Sequence, residues 1–106
     1  MTLPSSATTL AGRIEVLGPG HSVPDELRAA AIEQASRLFA HNPHIDRIRI
    51  EFDADPRRAP ADRFVAKGQI EFGGPALLAS VATDDPAKSL GHLIAKFDQQ
   101  LRRRPR

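Results

Sequence analysis

Five cations stand near the end of this 106-residue chain: Lys88, Lys96, Arg102, Arg103 and Arg104. Guanidinium groups are planar, permanently charged forks that match phosphate oxygens, so a cluster of them is chemistry for a polyanion. Residues 86–106 carry six Lys and Arg against Asp98, a surplus of +5 in a chain of net charge +2, which leaves −3 for the remainder. That asymmetry describes a local anion contact on a slightly acidic body. Arg57 and Arg58, between Pro56 and Pro60, are weaker loop candidates for the same task. Cations near a helix C-terminus also suit the helix dipole, and a solvated helix end is the alternative reading. The dipole acts only over the last turn, however, whereas Lys88 and Lys96 lie further back.

Other residue sets offer less. His41, His44 and Asp46 sit close together in sequence, but a metal centre needs three or four convergent ligands, and a proline-broken loop gives them no rigid frame. No serine stands in a nucleophile elbow, and no pair of carboxylates is marked out for acid–base work. The sequence therefore gives no argument for an enzyme, a metal site or a cofactor. A further cationic group, Arg13, Arg47, Arg49, Arg63 and Lys67, falls on the outward side of predicted strands. Antiparallel pairing is expected to set Arg63 near Glu51 and Arg47 near Glu71, so these charges answer one another across strands. A sheet that stacks bases also needs spare aromatics, and the five Phe fit core positions with no Tyr or Trp beside them.

The elements that must position these groups can be read from periodicity. Arg13–Leu17 alternates polar and apolar and stops at Gly18-Pro19-Gly20, which predicts a first strand. Ser22-Val23-Pro24-Asp25-Glu26 reads as a helix start with a hydroxyl cap, and the helix runs to about Ala40 on an inner stripe of Leu27, Ala31, Ala35 and Leu38, widened by Ile32 and Phe39. Arg28 lies on the inner side and must extend to solvent. Arg47–Phe52 alternates without a fault, and Asp53–Asp62 is too rich in proline for an element. A third strand is expected over Arg63–Phe72, with Gly68 marking a bulge, and a fourth from Leu77 to Thr83 after Gly73-Gly74-Pro75-Ala76. A last helix begins at Asp84 or Asp85 with Pro86, and its Leu90, Leu93, Ile94, Phe97 and Leu101 share a sector roughly 100° wide.

The resulting order, β-α-β-β-β-α, predicts an α+β two-layer sandwich: a four-stranded mixed sheet, strands one and two parallel, with both helices on one face. The domain is expected over residues 12–104, after a flexible arm at 1–11 and before a tail at 105–106. The absence of cysteine excludes a disulfide framework and thiolate chemistry. No apolar run is long enough for a membrane span and MTLPSSATTL has no signal-peptide pattern, so a cytoplasmic protein is expected.

The run Leu93-Ile94-Ala95-Lys96-Phe97-Asp98-Gln99-Gln100-Leu101-Arg102-Arg103 resembles the closing helix of the ribosome hibernation promoting factors, the ribosome-associated inhibitors, at Lys96, Gln100, Leu101, Arg102 and Arg103. Asp85 corresponds to the acidic start of that helix. Ile14-Glu15-Val16 with Val23-Pro24-Asp25-Glu26-Leu27-Arg28 looks like the family's first strand and helix entry. The order of elements is the family's as well, an arrangement like that of double-stranded RNA-binding domains. Where the family usually has an aromatic two positions after the helix-opening acid, this chain has Ala87. The resemblance implies the short form, without a C-terminal dimerisation domain, and a monomer away from the ribosome. It also implies binding through rRNA in the decoding channel of the small ribosomal subunit, over the mRNA and tRNA sites, in resting or stressed cells. Lys88, Lys96, Arg102, Arg103 and Arg104, with Arg57 and Arg58, would then be the phosphate contacts, and no membrane or small-molecule substrate is implied. The alternative is a protein-interaction module that modulates transcription or another partner without RNA.

Overall fold

Alternation along the extended segments decides which sheet face becomes the core. The computed structural model describes residues 12–18 and 23–103. Its strands are β1 (Ile14–Leu17), β2 (Arg47–Ala54), β3 (Phe64–Glu71) and β4 (Leu77–Thr83), and its helices are α1 (Asp25–His41) and α2 (Pro86–Arg103). The four strands form one sheet in the order β1-β2-β3-β4, with β1 and β2 parallel and the other pairs antiparallel. This is the expected β-α-β-β-β-α sandwich. The expected arm at 1–11, Pro19, Gly20, the Ser22 cap, Arg104 and the tail at 105–106 lie outside the described residues.

Ile14 and Val16, Ile48, Ile50 and Phe52, and Ala66 and Ile70 are the buried residues of the inner face. Ala31, Ala35, Leu38 and Phe39 of α1 and Leu90, Leu93 and Phe97 of α2 close over them as one cluster. Helix α1 packs against β1 and α2 against β3 and β4, and the two helices touch. Among the described residues, no helix is long and apolar enough to cross a membrane.

Several local expectations give way to the register. Pro24 occupies the N-cap position of α1, two residues after the expected Ser22 cap, so the proline precedes the first turn instead of lying in it; Asn42 caps the other end. β2 runs two residues past Phe52, and the following loop contains a short 3-10 turn at Pro60–Asp62. Gly68 is not a bulge, because β2 and β3 pair without interruption from Arg47↔Glu71 to Ala54↔Phe64. Its reason is steric. A Cβ on Gly68 would stand 2.3 Å from Phe97 Cε2 and 3.2 Å from Leu93 Cδ2, so the glycine leaves room for α2 to seat its aromatic ring on the sheet backbone.

Candidate polyanion-binding face

Helix α2 is fixed at its start by a small polar cluster. Asp85 Oδ2 accepts the Lys88 N–H at 3.0 Å, the geometry of an N-cap carboxylate. Ser89, completely buried, donates from Oγ to Phe64 O at 2.7 Å and lies 2.6 Å from Thr83 Oγ1, which accepts the Asp85 N–H at 3.2 Å. These bonds join the end of β4, the start of α2 and the start of β3. Ser89 was not anticipated, although it stands four residues before Leu93 and eight before Phe97, on the line of the buried stripe.

With that stripe turned inward, Lys88, His92, Lys96, Gln99 and Arg103 are all exposed and share an outer sector roughly 80° wide. Their partners differ. Lys88 Nζ is 2.8 Å from Asp84 Oδ1 and Arg102 Nε is 3.0 Å from Asp98 Oδ2, both i,i+4 pairs. The hydrogen bond to Lys88 holds the Asp84 carboxyl below its ordinary range, and the same bond holds the Lys88 ammonium above its own. Lys96 Nζ reaches Ser80 O on β4 at 3.4 Å. Arg103 has no ion-pair partner among the described residues. The freest cations of the face are thus Lys96 and Arg103, with Lys88 and Arg102 exchangeable from exposed pairs.

The loop candidates lie apart from the helix end. Arg57 Nε is 3.2 Å from Asp55 Oδ1, a bond that lowers the carboxyl's pKa and raises that of the guanidinium. Arg58 has no ion-pair partner among the described residues. The loop leads into Phe64, which Ser89 holds, so Arg57 and Arg58 belong to the N-terminal end of α2. Arg102 and Arg103 stand at the far end, about 25 Å away by helix rise.

The outward sheet face is a different surface. Its register places Arg47 opposite Glu71, Arg49 opposite Gln69 and Glu51 opposite Lys67, and Arg49 Nε lies 3.5 Å from Glu15 Oε1. Two expected members are absent from this face. Arg63 does not approach Glu51; its Nη2 donates to Pro56 O and Arg58 O, each at 3.3 Å, because the constant antiparallel register gives Glu51 to Lys67. Arg13 precedes β1 and donates to Asp46 O at 2.8 Å and to Ile45 O, with its guanidinium 4.6 Å over the Phe39 ring. Histidine chemistry is not assembled either. His41 Nδ1 is satisfied by Arg37 O at 3.0 Å, and no group of three or more His, Cys, Asp or Glu among the described residues could hold a metal ion.

No family model matches the chain, and no curated protein matches it. Solved structures do. A ribosomal subunit interface protein from Coxiella burnetii superposes with a TM-score of 0.70 at 21% identity, over 84% of this chain and 92% of that one. The N-terminal domain of Thermus thermophilus Protein Y superposes with a TM-score of 0.68 at 12% identity, over 84% of this chain and 93% of that one. Both belong to the hibernation-factor family that the closing helix resembles. At these identities the likeness establishes a common fold.

Proposed function

We propose that this domain is a ribosome-associated translation inhibitor that binds rRNA in the decoding channel of the small subunit through the outer face of α2. It acts by occlusion of the mRNA and tRNA sites in resting or stressed cells, without a reaction, a cofactor or a small-molecule substrate, as a cytoplasmic monomer when off the ribosome. One observation carries this reading. The buried Leu90, Leu93 and Phe97 hold α2 so that Lys88, Lys96 and Arg103 project together from an otherwise slightly acidic body. A rigid row of cations suits the phosphates of folded RNA, which is recognised by shape more than by sequence. The ribosomal name of the Coxiella structure supports the same partner.

Co-sedimentation with small ribosomal subunits over a salt series tests it. The protein is expected to migrate with the subunits at low salt and to be released steeply as salt rises, because displaced counterions supply much of the affinity. No co-migration at low salt overturns the proposal.

A further inference from the structure

An antiparallel strand turns the N–H and C=O of every second residue to the same side. Ser80 O is met by Lys96 Nζ, so the Ser80 main chain points away from β3, and Leu78 and Ala82 share its direction. The other end of the sheet gives the same phase. Asp55 N–H donates to Arg63 O at 3.0 Å, which turns Arg63 toward β2 and Phe64, Ala66, Gly68 and Ile70 toward β4. Strand β4 is the outer strand. The main-chain groups of Leu78, Ser80 and Ala82 therefore lie along an open edge, where the one side-chain contact among the described residues is the long Lys96 contact of 3.4 Å.

The opposite edge is blunted. β1 is four residues long, and Arg28 Nη1 reaches Val16 O at 3.4 Å. β4 has seven residues and carries Leu78, 66% exposed and the one exposed large hydrophobic among the described residues. Leu78 and Ser80 border a shallow depression lined also by Arg49, Glu51, Lys67 and Gln69. Lys67 stands opposite Ser80, whose small side chain leaves the ammonium reachable from beyond the edge. Lys96 approaches the same residue from the α2 flank. A second copy paired edge to edge about Ser80 would crowd two Lys96 against one seam, and like charges so placed oppose pairing. An acidic strand meets no such cost.

We infer that the β4 edge receives an extended acidic segment of a protein partner, added as a fifth strand beside Leu78–Ala82. Its main chain pairs with the outward groups of Leu78, Ser80 and Ala82, its carboxylates meet Lys67 across Ser80, and their methylene stems cover Leu78. Lys96 gives up only a long contact and adds its charge at the flank. The surface shares Lys96 with the row of cations on α2, but its pairing groups at Leu78, Ser80 and Ala82 lie outside that row, and ribosome binding does not depend on them.

The probe is a capped eight-residue peptide alternating Val and Glu, compared with its Val and Lys counterpart by fluorescence anisotropy. Amide exchange of the full chain is followed at Leu78, Ser80 and Ala82. The Glu peptide is expected to bind at least tenfold more tightly than the Lys peptide and to slow exchange at those three amides. Ser80→Pro removes one outward N–H without touching the ladder; it should weaken the Glu peptide at least tenfold while ribosome co-sedimentation persists. Unchanged exchange, equal binding of the two peptides, or unchanged affinity in Ser80→Pro overturns the inference. So does a wild-type dimer that Ser80→Pro abolishes, since the edge would then belong to a second copy. Ribosome binding is read separately, so either proposal can fail alone.

Discussion

The outer face of α2 and the outer face of the sheet carry similar numbers of cations, yet they are wired in opposite ways. On the sheet, acids and bases alternate along and across strands: Arg49 meets Glu15 at 3.5 Å, Lys67 stands opposite Glu51, and Arg47 opposite Glu71. Each cation of that face stands opposite or beside a carboxylate, although among the described residues only Arg49 forms an ion pair there, with Glu15. On α2 the only acid within the helix is Asp98, it serves Arg102, and Asp84 serves Lys88 from the preceding turn. Lys96 and Arg103 are left without an ion pair among the described residues, Lys96 keeping only its long contact to Ser80 O. Whether a cationic surface can take an external polyanion is decided by where the carboxylates fall in the fold, and a two-residue periodicity brings them in where a 3.6-residue periodicity leaves a clear sector.

The contrast holds only while α2 is clamped to the inner face, so the most severe way to break it is to remove the clamp. Phe97 is completely buried between α2 and the sheet. Phe97→Ala should cost about 3–5 kcal/mol in urea unfolding, from lost transfer energy and the cavity left behind. Gly68 tests the same seat from the other side. The ring atom 2.3 Å from a built Cβ belongs to that buried Phe97, which has no free space to yield. Gly68→Ala should therefore destabilise by roughly 1–3 kcal/mol, through overpacking, despite the better strand propensity of alanine. A neutral or stabilising Gly68→Ala would mean that the glycine serves the strand and not the helix.

The comparison is sharpened by changing each face in turn. Lys96, Arg102 and Arg103 are exposed, so replacing all three with alanine should leave stability within about 0.5 kcal/mol for each site. Ribosome affinity should fall, and the slope of log affinity against log salt should decrease by about one for each phosphate contact removed. Replacing Arg47, Arg49 and Lys67 with alanine, the same number of cations from the sheet, should change neither affinity nor slope appreciably. Equal losses from both triples, measured by sedimentation at matched salt, would place the polyanion on both faces and end the distinction.

Much of this was legible in the sequence because burial follows period. Arg47–Phe52 could face only one way, and the spacing of Leu90, Leu93 and Phe97 named the inner side of α2 before its surroundings were known. What escaped was set by contacts between distant segments. Gly68 looks like a fault in a strand until Phe97 is seen above it. Arg63 seems to belong to the third strand's outward row, but the hairpin closes at Asp55 and Arg63 and spends the guanidinium on loop carbonyls. Ser89 passes for an exposed helix residue because its partners, Phe64 and Thr83, come from two different strands. The pairs that restrain Lys88 and Arg102 were readable, since Asp84 and Asp98 each stand four residues before them.

The finest difference between the faces is a proton. The Asp84 carboxyl is held below its ordinary value chiefly by its hydrogen bond to Lys88, with the ammonium's charge adding to it. A group whose folded pKa is depressed stabilises the folded state above its unfolded pKa and loses that contribution as pH falls through the folded value. The Asp84–Lys88 pair should therefore persist on acidification past the point where unpaired carboxylates have protonated, and open only below it. Opening frees Lys88 and raises the positive charge of the α2 face, while the exposed position of the pair keeps its effect on stability small. Carbon-detected NMR titration of the Asp84 carboxyl should give a midpoint below that of an exposed Asp, and Lys88→Met should return it to the ordinary value. An unshifted midpoint in the parent protein would mean that Lys88 is already free in solution and belongs with Lys96 and Arg103.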